Sequence, residues 1–344
     1  MGEKNKPVYT ELLMIISVLW IVAVSVISTE WSAASVGSVS WIFMTVMQSA
    51  LLFTFPVIIM TSGIKYLSEN EAPPIKKLYS RDILRLSIML LFWSVLYVIF
   101  KKHFGSTSTF GIKQYIGELS AGQNHLWLLC VLIGLLIVSP LLKKIAADKK
   151  LLEYFLIVWI VFTVIGNILV AIPDPYIYFQ KRLHNFYMST AIHFSGYFCL
   201  GYYLAKYDIK KSLRILIYFL GGLSIVSFAA ITYRLSAEEG KLVADFLENT
   251  KPMTVLVPAA VFLFAKNAFK KQATPKAIAF IAKASFGIYL CHGIVLKAVT
   301  QASLLPNDIR TVYQIVITTA ATYLISLAVS AILNSIPFVK KYII

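Results

Sequence analysis

Long apolar runs, separated by short polar segments that carry lysines, set the pattern of this chain. Ten runs stand out, at about 10–29, 40–64, 82–100, 124–142, 152–172, 186–205, 213–233, 253–269, 277–298 and 311–334. Each is near the roughly 20 residues a helix needs to cross the hydrocarbon layer. A helix satisfies its own backbone there, where no water can. The pattern predicts an all-α polytopic membrane protein with about ten transmembrane helices, forming one integral membrane domain over residues 1–344. The second run is long and contains Pro56, which predicts a kink or tilt. The eighth is short and contains Pro258. The first run, "TELLMIISVLWIVAVSVISTEW", has no basic residue and no histidine. No small-residue cleavage site follows it, so it reads as a span and not as a removed signal.

Composition strengthens this reading. Apolar residues make up 58% of the 344 and charged residues only 14%, too few charges to cover a soluble core of that size. The net charge of +16 would suggest nucleic acid in a soluble protein. Here the lysines sit in loops between spans, no nucleic-acid motif is present, and anionic lipid and membrane orientation account for the charge. With the N-terminus inside, cytoplasmic segments hold 20 of the 32 basic residues and outer segments 10, leaving Arg85 and Lys283 within spans. That asymmetry places both termini in the cytoplasm. The outer loops are longer and carry most of the acids, among them Glu118, Asp174, Glu248 and Asp308. Cys130, Cys199 and Cys291 fall inside apolar runs with no metal or disulfide spacing, as small core residues do.

Ionisable groups inside spans are candidates for function. Arg81 and Arg85, in "SRDILRL", are one helical turn apart at the cytoplasmic end of the third span. Two guanidiniums on one face suit a phosphate-rich ligand; the alternative is an anchor to lipid headgroups. His125 and Trp127, in "NHLWLLCVL", open the fourth span, either as an interfacial belt or as part of a site. His292, in "SFGIYLCHGIVL", lies deeper, in the outer half of the membrane, where an imidazole needs a partner. His193 and His184 flank the start of the sixth span, and His103 reads as a loop residue. Ser62 and Gly63 end the second span, where small residues permit close helix contact or close approach of backbone to a ligand. No nucleotide-binding glycine loop and no metal-ligand spacing occurs.

Taken in order, four stretches resemble the integral membrane acyltransferase 3 family: "WIFMTVMQSALLFTFPVIIMTSGIKYLSENEAPPIKKLYSRDILRLSIMLLFWSVLYVIFKK", "HLWLLCVLIGLLIVSPLLKKI", "FSGYFCLGYYLAKY" and "ASFGIYLCHGIVL". The similar branch is that of the surface-polysaccharide O-acetyltransferases, and the resemblance covers nearly the whole chain. It implies ten core helices and transfer of an acyl group, usually acetyl, from acyl-CoA to a hydroxyl of an envelope glycan or glycolipid. It implies a multi-pass protein of a bacterial inner or plasma membrane. The family's Ser-Gly motif falls on Ser62 and Gly63. Its arginine pair falls on Arg81 and Arg85, where a CoA donor would arrive. The aromatic–histidine stretch falls on Tyr289 and His292, and Tyr289 is expected on the substrate side together with His125 and Trp127.

The departure is in the first helix. Family members carry an arginine there and, ten intervening residues later, a histidine. Eleven steps of 100° return to nearly the same face about 16 Å further along. That histidine is the expected proton acceptor. In this chain the two positions are Met14 and Ser25, and residues 7–101 contain no histidine. Serine is not a base at neutral pH and becomes a nucleophile only beside one. His292 is expected at a similar depth, so a Ser25–His292 pair is one reading. The other is a packed serine bonded to the preceding turn, on a small-residue seam with Ser17 and Ser28. Two functions follow: a membrane O-acyltransferase with altered catalytic residues, or a catalytically degenerate relative that binds or exports a glycan or assists an active enzyme. An ion-coupled transporter lacks its expected mid-span carboxylates.

Overall fold

The computed structural model describes residues 7–104, 125–165, 193–247, 254–269, 273–302 and 311–344. Among these the regular structure is helical throughout, with no strand. Seven helical stretches are long and apolar enough to cross a membrane: Val8–Ala33, Val39–Leu67, Ile75–Lys101, Trp127–Ala147, Lys211–Glu239, Lys276–Gln301 and Val312–Ser335. They coincide with seven of the ten expected runs. The all-α, multi-pass membrane architecture follows from them. The fifth and sixth runs extend into 166–192, outside the described residues, as do His184, Glu118, Asp174, Glu248 and Asp308. His103 lies in a helix, but its side chain is also outside the description. The eighth run is a 14-residue helix, with Pro258 in its first turn, where the missing N–H has no intrahelical role.

The chain divides into two compact units, one comprising Met1–Ala72 and Leu141–Ala279, the other Pro73–Pro140 and Phe280–Ile344. The first unit contains α1 (Val8–Ala33), α2 (Val39–Ala50), α3 (Thr54–Leu67), α6 (Lys149–Trp159), α7 (Ser195–Lys206), α8 (Lys211–Glu239) and α9 (Leu256–Phe269). Between α2 and α3 the helix tightens into a 3₁₀ turn, Leu51–Phe53. Pro56 explains the position of this irregularity, since its nitrogen has no hydrogen to donate to Leu52 one turn back. Ser38 caps α2 through the Trp41 N–H at 3.2 Å, and Gly240, at φ +65°, ends the 29-residue α8 in the left-handed conformation that glycine permits.

Glycines decide how α3 and α7 meet. A Cβ on Gly63 would stand 1.9 Å from the Phe198 carbonyl oxygen, and one on Gly201 would stand 2.1 Å from that of Met60. The arrangement is reciprocal, each helix setting a glycine against a backbone carbonyl of the other three residues before the facing glycine. Such contact replaces the hydrophobic drive that helices lack in lipid. The same unit ties α1 to α2 through polar pairs. The Trp31 indole donates to Thr45 at 2.9 Å and the Gln48 amide to Ser28 at 2.8 Å. Lys266 of α9, only 4% exposed, donates to the Leu204 and Tyr207 carbonyls at 2.7 and 3.0 Å and pairs with Asp208 at 3.0 Å. It thereby neutralises the carbonyl end of α7.

The second unit contains α4 (Leu84–Phe104), most of α5 (Trp127–Ala147) and α10 (Lys276–Gln301), α11 (Thr311–Ser335) and the short α12 (Pro337–Tyr342). A helical turn at Ile75–Lys77 and a π turn at Leu78–Ile83 lead into α4. α10 and α11 pack closely along small residues. A Cβ on Gly287 would stand 2.2 Å from Ser330 Oγ, which donates to the Ala284 carbonyl at 2.7 Å. Buried hydroxyls of Thr318, Thr322, Ser326 and Ser330 recur every fourth residue along α11, the period of one helix face.

Candidate active site in the second unit

Three elements converge on one group of rings. α4 supplies Tyr97, the residues entering α5 supply His125, and α10 supplies Tyr289 and His292. The His125 and His292 rings meet edge to face with centroids 4.7 Å apart. Tyr97 lies 4.9 Å from His125, and Tyr289 lies 5.9 Å from His125 and 6.2 Å from His292. The Tyr97 hydroxyl donates to the Leu290 carbonyl at 3.0 Å, and the Tyr289 hydroxyl donates to the His125 carbonyl. Both phenols therefore pin α10, one to α4's side and one to the start of α5. Trp127, partly buried, is the first residue of α5.

His292 is 1% exposed. Its Nδ1 lies 2.7 Å from the Tyr289 carbonyl, one turn back on its own helix. A carbonyl oxygen only accepts, so Nδ1 carries the hydrogen, and in the neutral ring the basic lone pair is on Nε2. This is the tautomer a general base needs. His125 Nε2 is buried and has no hydrogen-bond partner among the described residues, a costly state for a polar atom in a protein interior. One imidazole is thus fixed in orientation by its own helix, and its neighbour retains unused hydrogen-bonding capacity.

Gly293 makes the cluster possible. A Cβ there would stand 2.8 Å from Tyr97 Oη and 3.1 Å from His125 Cε1. We expect Gly293→Ala to displace both rings and to lower turnover by about 10- to 100-fold, the scale on which misplacement of about 1 Å acts. Initial rates measured beside the melting temperature separate this effect from simple loss of fold.

Both arginines are engaged by other groups of the chain. Arg81 lies within the π turn, a feature frequent at functional sites, and its guanidinium forks onto the neighbouring Asp82 at 2.8 and 2.9 Å. Arg85, in the first turn of α4, donates to the Lys340 carbonyl at 3.1 Å and to the Ile344 oxygen.

In the first unit, Ser62 donates to Ile58 at 3.0 Å, and Gly63 faces the Phe198 backbone, which gives the glycine a packing reason. Ser25 donates to the Ile21 carbonyl at 3.1 Å, the back-bonding expected of a packed serine in a membrane helix. Ser28 does the same to Val24 at 2.7 Å. Met14 is partly buried on the same helix. Among the described residues, no group of three or more His, Cys, Asp and Glu side chains is arranged to hold a metal ion.

Tyr97, Trp93 and Gly293 were not singled out in the sequence. Gly293 directly follows His292, and Trp93 and Tyr97 stand four apart on one face of α4, so spacing carried a signal. Which residues the face would meet was not in the spacing.

Seven long apolar helices and this buried imidazole–tyrosine cluster describe a multi-pass membrane protein with a candidate reaction centre. A family model described as an acyltransferase domain matches residues 9–333, and the chain belongs to the membrane acyltransferase 3 family. No curated protein and no solved structure matches the chain.

Proposed function

We propose that this membrane acyltransferase moves an acetyl group from acetyl-CoA to a hydroxyl of an envelope polysaccharide or lipid-linked sugar. It works in a bacterial inner or plasma membrane, with both chain ends in the cytoplasm. The observation that carries the reading is the contact between His125 and His292 inside a chain of this family. The imidazoles take over the proton-accepting task of the first-helix histidine, whose place Ser25 fills. His292 Nε2 accepts the proton of the sugar hydroxyl as its oxygen attacks the thioester carbonyl. The carbon–sulfur bond breaks, and the departing thiolate takes the proton from the imidazolium, so the base is regenerated. Arg81 and Arg85, at the positively charged cytoplasmic ends, receive the donor's phosphates.

The substitutions at Met14 and Ser25 favour a second reading, a degenerate relative that binds or exports a glycan or assists an active enzyme. Label transfer separates the two. Membranes containing the protein are incubated with acetyl-labelled CoA and isolated envelope glycan. The enzyme reading expects label on the glycan, released by hydroxylamine as an ester is. Label at the level of membranes without the protein, beside an active family member, rejects it.

A further inference from the structure

Residues 340–344 return to Arg85 and Trp93 of α4. α12 lies against α4, and residues 340–344 are anchored there by three oxygens, one within α12 and two beyond it. Arg85 donates to the Lys340 and Ile344 oxygens, and the Trp93 indole donates to the Ile343 carbonyl at 3.0 Å. Ile344 is 3% exposed, and a Cβ on Gly287 of α10 would stand 3.3 Å from its Cγ2. The segment is therefore held between α4 and α10.

Its depth matters. Trp93 precedes Tyr97 by four residues, about 6 Å of helix rise, and Gly287 precedes His292 by five, about 7.5 Å. Tyr97 itself bonds to Leu290 of α10, so α4 and α10 are in contact at the ring cluster as well. Ile343 and Ile344 thus fill the same cleft about one turn below the imidazoles, on the side towards Arg85. From Arg85 to Tyr97 the rise is about 18 Å, a span suited to a donor whose phosphates bind at one end while its thioester reaches along a thin flexible arm to the other.

We propose that residues 337–344 form a plug in the path of the acyl donor's thioester arm, latched by Arg85 and Trp93, and that the donor binds by displacing it. This rests on the reading of Arg85 as the donor's phosphate ligand. The competition is chemical as well as steric. Phosphate oxygens exchange for the Lys340 and Ile344 oxygens on the same guanidinium. Basal affinity for the donor is lowered by the fraction of protein in which the plug is seated.

The test is direct binding of acetyl-CoA to the full chain in lipid nanodiscs, compared with Trp93→Phe and with a variant lacking 337–344. Trp93→Phe keeps a ring in the cleft and removes one neutral hydrogen bond to the plug, so affinity should rise by about five-fold. Deletion should raise it by at least ten-fold. Unchanged or weaker binding in Trp93→Phe overturns the plug, whether or not the deleted form folds. Absence of binding in all three proteins overturns the donor assignment itself, a different failure from equal binding in all three.

Discussion

Replacing His292 with glutamine should cut acyl transfer by about 10²- to 10⁴-fold, the range that a positioned general base supplies. Glutamine is similar in length and can still reach the Tyr289 carbonyl, so the local packing at 1% exposure has a polar group of comparable reach. What it cannot do is take up a proton. The loss should appear in kcat with little change in KM for acetyl-CoA, because donor binding lies about 18 Å away by helix rise, near Arg85. His125→Gln should also slow transfer, because its ring is in edge contact with His292 at 4.7 Å. The double variant should lose no more than the worse single variant, since residues that act as a unit are not additive. Initial rates of label transfer, with melting temperatures as a control for folding, check this. Additive losses would show that the two rings act independently.

Gly63→Val should give a protein that scarcely accumulates in the membrane. The added Cβ alone would stand 1.9 Å from the Phe198 carbonyl oxygen and 2.7 Å from its carbon. Both are backbone atoms of a facing helix, which cannot rotate aside as a side chain can, so α3 and α7 must separate. Overpacking costs typically about 1–3 kcal/mol and more when neighbours are rigid, and valine adds two methyl groups to the conflict. Gly201→Val should behave alike through Met60, at 2.1 Å. Ser62→Ala removes only a bond from Oγ to the preceding turn and should leave folding nearly unchanged. Yield and thermal aggregation in detergent distinguish these outcomes. If Gly63→Val accumulated normally but bound donor poorly, the glycine would be a ligand contact and not a packing device.

Hydropathy made the spans legible because burial in lipid depends on the run of residues, not on tertiary partners. The irregularity before Pro56 was readable as a kink or tilt, since it comes from proline's missing N–H, and Pro258 falls in the first turn of its helix, where proline is tolerated. The hydroxyl of Ser25, bonded to Ile21, follows from local geometry in the same way. The reading of Ser62 and Gly63 left helix contact and ligand approach open, and the carbonyl of Phe198 opposite Gly63 supplies the helix contact. Rotation of a helix about its axis is another matter. A helix apolar on every side carries no stripe that declares its inner face. The spacing of Trp93 and Tyr97 marked a shared face of α4, but not that this face is buried while that of Phe92 is exposed. The convergence of His125 with His292 spans 167 positions of chain and depends on the docking of α4, α5 and α10. The π turn that carries Arg81, and the return of residues 340–344 to Arg85, are likewise products of packing.

We propose that the chain transfers acyl groups without the first-helix arginine and histidine, using the imidazoles of its second unit. The most direct measurement is label transfer by the native chain beside a variant that restores the usual pair, Met14→Arg with Ser25→His. The native chain is expected to leave ester-linked label on the glycan, and His292→Gln to abolish it. Transfer by the restored variant alone, with the native chain at the level of empty membranes, would contradict it.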